Sequence, residues 1–110
     1  MARFVKGDVV ILPFPFSDLT EQKKRPAFVV QPVANDDLIL CQITSRFKSD
    51  DDSIGLKAAD FTEGGLPLDS YARPNRLFTA DANIVLRKAG RLANEKTREI
   101  IDRLVLILQR

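Results

Sequence analysis

Apolar residues in this chain fall in short runs separated by polar clusters, until a helical spacing takes over near residue 100. GDVVILPF (7–14) has a Gly-Asp start and a β-branched run, which predicts a largely buried first strand. Pro13 and Pro15 then exclude a central strand. FPFSDLTEQKKR (14–25) reads as a loop, long for a hairpin connection. PAFVVQP (26–32) is a second strand, with Pro26 at its first position, where the missing N–H is tolerated. ANDD (34–37) is a turn, and LILCQITS (38–45) a third strand. KSDDDS (48–53) is an acidic, solvated turn, followed by an edge-type fourth strand in IGLKAADF (54–61), which TEGG (62–65) breaks. LDSYARPNRLFTAD (68–81) predicts a strand, a proline interruption and a short strand. ANIVLRKAGRL (82–92) combines a brief apolar strand with a basic turn at Gly90.

Only residues 94–110 are helical in pattern. Ile100, Ile101, Leu104, Val105 and Leu108 share one face by their i, i+3, i+4 spacing. Asn94 is placed to cap the helix, and Glu99 and Arg103 are spaced to pair on its outer face. Short strands followed by one C-terminal helix predict a mainly β chain: a small barrel or a strongly bent antiparallel sheet with a helix packed on it.

With 110 residues and no linker or internal repeat, residues 1–110 form one domain. A core of this size leaves modest stability, which dimerisation would raise. The net charge of +2 does not by itself imply nucleic acid. Its placement says more: Lys and Arg gather at 23–25, 73–76 and 87–91, and the acids at 50–52, compatible with one basic face. The single Cys41 lies in an apolar run, which predicts a packing role and a reducing compartment. No signal-type or membrane-spanning apolar stretch is present, so a cytoplasmic protein is expected. Histidine is absent, which excludes imidazole catalysis and His-ligated zinc. Chemistry would rest on Arg, Lys, carboxylates and hydroxyls. Taken alone, Lys23-Lys24-Arg25 is a solvated hairpin tip, and Thr44-Ser45 the hydroxyls that end a strand.

The order KGDVVILPFPFSD, KKRPAFVV, CQITS, SYARPNRLFTAD and GRL, closed by an amphipathic helix, resembles the MazF/PemK family of toxins from type II toxin–antitoxin systems. Gly7-Asp8 before a β-branched strand, Arg25-Pro26 and Thr44-Ser45 carry the match, which covers nearly the whole chain. The resemblance implies an SH3-like barrel, a homodimer, and endoribonuclease activity on single-stranded RNA, mRNA foremost, with no metal or other cofactor. It also implies a cognate antitoxin whose C-terminal segment covers the RNA groove, the complex binding DNA. The family's catalytic Arg falls on Arg25 and its Thr on Thr44. A further family Arg falls on Arg73, with Asn75 where some members carry an acid. The first loop is one residue shorter than the common family pattern and lacks its glycine.

The chemistry is compatible with a histidine-free site, because RNA carries its own nucleophile in the 2′-hydroxyl. The protein must hold the backbone in line, neutralise charge growing on the phosphoryl oxygens, and manage two protons. Arg25 suits bidentate pairing with phosphate, and Thr44 can donate to the same oxygens. The general base stays open among Arg25, a carboxylate such as Asp18 or Glu21, and water. Phe16 is the best-placed base stacker, whereas Phe14 is read as core. Lys24, Ser45, Arg46, Asn75 and Arg76 complete the expected RNA contacts. Two other functions fit the same fold: a CcdB-like poison that binds gyrase without catalysis, and a module that keeps the fold but no longer cleaves.

Overall fold

The computed structural model describes residues 3–15, 22–46 and 50–110. Among these residues, seven antiparallel strands form one sheet curled into a half-barrel, followed by one α-helix. The strands are β1 (Asp8–Pro15), β2 (Gln22–Pro32), β3 (Asp37–Thr44), β4 (Ile54–Leu56), β5 (Phe61–Gly64), β6 (Ser70–Asp81) and β7 (Arg87–Leu92), and helix α1 spans Asn94–Gln109. Their order across the sheet is β4-β6-β3-β2-β1-β7-β5.

The apolar runs of β1 to β3 are continuous because both sheet faces are covered. Val9, Phe28, Cys41 and Ile43 point to one side, where Ile100 and Leu104 of α1 complete the core. Val10, Leu12, Val29 and Leu40 point to the other, under Ala82, Val85 and Phe4. One-residue shifts in the β1–β7, β2–β3 and β5–β7 ladders each insert an unpaired residue. Such bulges increase local twist, which curls the sheet. The Gly7-Asp8 motif ties the start of β1 to β7. Gly7 has φ +99°, and Asp8, buried at the start of β1, accepts from the Val5 N–H and from Arg91 Nε, both at 2.9 Å. Its own hydrogen bond to Asp8, and then the Asp8 charge, hold the Arg91 guanidinium pKa above its ordinary value.

Several expected boundaries move. β1 continues through Pro13 and Pro15, because it extends past the β1–β7 ladder and, among the described residues, pairs only with β2 there. That stretch is locally an edge, where proline costs no ladder bond. β2 begins at Gln22, so Lys23, Lys24 and Arg25 belong to a strand and not to a loop tip. Pro26 is therefore internal to β2, just before pairing with β3 begins at Ala27. Thr62 to Gly64 belong to β5 and do not break a strand, the fourth strand stops at Leu56, and Gly90 lies inside β7. The helix is capped at Ala93 without a side-chain bond, and Asn94 is already helical. Glu99 pairs with Lys96 at 3.0 Å, and Arg103 pairs with Asp52 at 3.7 Å. Val105 and Leu108 are exposed, so only the first half of the apolar helix face is buried in the sheet. No described helix is long and apolar enough to cross a membrane.

Cys41 is fully buried, as its apolar run predicts, and burial pushes its thiol pKa up to about 12 from 9.0. Above pH 9 the unfolded thiol ionises while the folded one keeps its proton. Stability held below pH 9 is therefore lost progressively up to about pH 12, with a slope approaching ~1.4 kcal/mol per pH unit. Urea titrations from pH 8 to 10.5 are expected to show this decline, and Cys41→Val to remove its share. Equal slopes in the two proteins would refute the assignment.

Candidate nucleic-acid interface

Where β2 and β3 run past their covered segments, their residues open into a basic cavity of about 520 Å³. Six cations line it: Lys23, Lys24 and Arg25 from β2, Arg46 just beyond β3, and Arg73 and Arg76 from β6. Thr44, Ser45 and Gln42 supply neutral hydrogen-bonding groups between them. Alternation puts Arg25 on the same face of β2 as Ala27: Ala27 lies in the core, and Arg25, two residues nearer the start of the strand, is half-buried at the cavity wall. Thr44 Oγ1 accepts the Arg46 N–H at 3.1 Å, so the turn after β3 orients the hydroxyl and its hydrogen remains to be donated.

A bulge in β6 delivers the remaining cations. Cys41 pairs with Leu77 and the next residue, Gln42, with Arg73, so residues 74–76 stand outside the ladder. Pro74 is buried within this bulge, and Asn75 and Arg76 project outward. The proline interruption expected in this region is thus a bulge inside one long strand, and it redirects side chains as bulges near functional sites do.

Two neighbouring cavities adjoin the basic one. A cavity of about 510 Å³ shares Lys24, Arg25, Thr44 and Ser45 with it and continues along Leu66, Leu68 and Arg87. Arg25 and Thr44 therefore sit at the junction of two clefts, where a chain lying along both would pass them. The third, of about 550 Å³, is mainly apolar and lined by Leu12, Phe14, Leu77, Phe78 and Ile84, with Gln42 and Arg76 shared. It is the largest of the three, but its charge is poorly suited to a polyanion. Phe14, half-buried at the cavity wall, and Phe78 pack there in a tilted pair at 4.7 Å.

Of the expected site residues, Lys24, Arg25, Thr44, Ser45, Arg46, Arg73 and Arg76 line the one basic cavity. Asn75 does not; it faces the apolar cavity and donates to Asp50. Phe16, and with it Asp18 and Glu21, lies outside the described residues. Lys23 lines the cavity as well, although its run alone reads as a solvated tip.

Asp50 is the residue that the sequence pattern misses. The 50–52 acids do make a turn, but only Asp51 is solvated: Asp52 is buried, and Asp50 Oδ2 accepts from Arg73 Nη2 at 3.2 Å and Asn75 Nδ2 at 3.0 Å. The Asp52 backbone N–H, then the Asn75 amide and Arg73, hold the Asp50 carboxyl below its ordinary pKa. No local signal marks such a pair, because its members are 23 residues apart. Among the described residues, no three His, Cys, Asp or Glu side chains gather as a metal site.

The family model of the PemK-like, MazF-like toxin of type II toxin–antitoxin systems matches residues 5–108. Among solved structures, a chain of a MazE–MazF crystal structure from Deinococcus radiodurans superposes with a TM-score of 0.77 at 20% identity, covering 96% of this chain and 95% of that one. A mycobacterial endoribonuclease in complex with its cognate antitoxin gives a TM-score of 0.76 at 14% identity over 96% and 94%. At such identities the likeness establishes the fold. No curated protein matches the chain in sequence. The family match, spanning all seven strands and most of α1, makes this chain a member of the PemK/MazF family of type II toxins.

Proposed function

We propose that the chain is a metal-independent endoribonuclease that cuts single-stranded RNA, mRNA foremost, and that a cognate antitoxin restrains it. The observation that carries this reading is the placement of Arg25 and Thr44 together at the junction of two clefts, inside a ring of cations. Such a groove suits a polyanion threaded past one point, and single-stranded RNA supplies both the charge and the reacting hydroxyl.

In the proposed reaction the 2′-oxygen attacks the adjacent phosphorus, the bond to the 5′-oxygen breaks, and a 2′,3′-cyclic phosphate and a 5′-hydroxyl result. The 2′ proton leaves to a base and the departing 5′-oxygen gains one. The Arg25 guanidinium and the Thr44 hydroxyl stabilise the phosphoryl oxygens as charge grows there. Arg73 adds a third donor, and Lys24, Ser45, Arg46 and Arg76 hold the flanking backbone. No metal hydroxide is needed, because the nucleophile belongs to the substrate. Asn75 serves as a hydrogen-bonding neighbour of Asp50, since an amide does not act as a base at neutral pH. The solved relatives whose crystals hold MazE or a cognate antitoxin support a protein partner for this chain, and a homodimer would extend the groove.

The purified chain, incubated with a long single-stranded RNA in EDTA, is expected to make specific cuts that leave 5′-hydroxyl ends. Toxicity on expression with no cleavage of any RNA would replace this reading by a gyrase-type poison. Neither toxicity nor cleavage would leave a module that has lost its chemistry.

A further inference from the structure

A groove built to attract phosphate gains nothing in affinity from a carboxylate, yet one is held against it. Asp50 is 14% exposed and Arg73 12%. Both carboxylate oxygens are committed: Oδ2 to Arg73 and Asn75, and Oδ1 to the Asp52 N–H at 2.8 Å. The two residues that follow Asp50 are themselves tied down. Arg110 donates to both oxygens of buried Asp52 at 3.3 and 3.0 Å, and Arg103 Nη1 donates to the Asp51 carbonyl at 2.9 Å. Arg103 of α1 and Arg110 just beyond it thus anchor Asp51 and Asp52, next to which Asp50 sets one acceptor against Arg73 at the wall of the basic cavity. Arg73 spends one Nη2 bond on it, while its buried Nε finds no acceptor among the described residues. Most of the hydrogen-bonding capacity of this guanidinium remains unspent, facing a cavity of cations.

We propose that Asp50 is a positioning residue, which fixes the Arg73 guanidinium in the orientation that meets the scissile phosphate. The proposal rests on the ribonuclease reading and adds to it the source of one donor's geometry. A long, mobile side chain aimed at a phosphate loses much of its value in the transition state unless something holds it beforehand. A carboxylate itself held by two further donors, the Asn75 amide and the Asp52 N–H, holds it, at the cost of some attraction for RNA.

The two effects differ in kcat, which makes them separable. If Asp50 only weakens the field of the groove, Asp50→Asn tightens RNA binding and leaves kcat unchanged. If it positions Arg73, Asp50→Asn lowers kcat about 10- to 100-fold while KM stays equal or falls. Exchanging the partners, Asp50→Asn with Asn75→Asp, keeps one carboxylate and one amide beside Arg73 and is expected to recover most of the lost kcat. Side-chain ¹⁵N spectra of Arg73 report the geometry independently of turnover: hindered guanidinium rotation in the wild type, released in Asp50→Asn and restored in the exchange. A wild-type kcat in Asp50→Asn, or an Arg73 spectrum that does not respond, overturns the positioning role alone. A wild-type chain that cuts no RNA overturns the ribonuclease reading, and the catalytic role of Asp50 with it.

Discussion

Arg25→Ala is expected to lower the rate of RNA cleavage at saturating substrate by about 100- to 1000-fold, the cost typical of removing one donor to a transition-state oxyanion. The melting temperature should change little. The side chain lies at a cavity wall, and β2 keeps its ladder with β1 at this position, where Arg25 pairs with Leu12. Loss of any cation from the groove weakens RNA binding, so the informative comparison is with Lys23, which lines the same cavity but lies outside the junction. Lys23→Ala should raise KM at constant kcat, whereas Arg25→Ala should act on kcat. Arg25→Lys keeps the charge but loses the planar fork, and should fall between wild type and Ala. Thr44→Val removes the hydroxyl at nearly constant shape. If Thr44 and Arg25 serve the same phosphoryl oxygens, the double variant will cost less than the two single losses combined. A kcat for Arg25→Ala within a few-fold of wild type would end the proposed mechanism, whatever its KM.

The largest expected effect on stability comes from a residue with no side chain. Gly64 ends β5 with φ +62°, and a Cβ there would lie 2.1 Å from the Ala89 carbonyl oxygen and 2.7 Å from the Gly90 Cα. Both obstacles are backbone of the neighbouring strand, so rotamer changes cannot relieve them. β5 is an edge strand whose ladder runs to β7 alone, and Gly65 N–H donates to that same Ala89 oxygen at 3.1 Å. Gly64→Ala must therefore separate the two strands, and is expected to cost about 2–5 kcal/mol from left-handed strain and overpacking together. For a domain of this size that is a fall in melting temperature of roughly 10 °C or more. Gly65→Ala, whose Cβ would meet nothing within 4 Å, is the control and should be near neutral. Because Leu66 packs on the core and, with Leu68, walls the second cleft, Gly64→Ala should also reduce RNA cleavage in the protein that stays folded. Equal melting temperatures for the two variants would mean that β5 is not seated as described.

How far the chain can be read without coordinates differs from element to element. Helix α1 and the cores of β1 to β3 follow from local pattern, because an amphipathic period or an unbroken apolar run expresses burial residue by residue. The boundaries that moved share a cause. Whether Pro13, Pro15 or Pro26 interrupts a strand depends on which neighbour lies beside it, and all three fall where one ladder is missing. Thr62-Glu63-Gly64 and Gly90 look like turns because glycine usually marks one, yet here the two segments pack backbone against backbone. In the candidate site, motif order singles out Arg25, Thr44 and Arg73. It cannot show that Lys23 to Arg25 ride on a rigid strand instead of a loop tip.

By itself, then, the sequence determined the β-rich class, the closing helix, the buried thiol, the exclusion of imidazole chemistry and the cations available to a groove. Each of these is a property of composition or of short-range period. The tertiary structure alone decided the ladder registers, the 74–76 bulge that turns Asn75 and Arg76 outward, and the pairing of Asp50 with Arg73 across 23 residues. The physical reason is that strand pairing and ion pairing are made between segments distant in the chain. The partner of a strand edge or a charge is chosen by how the whole sheet curls, which no local window of residues records.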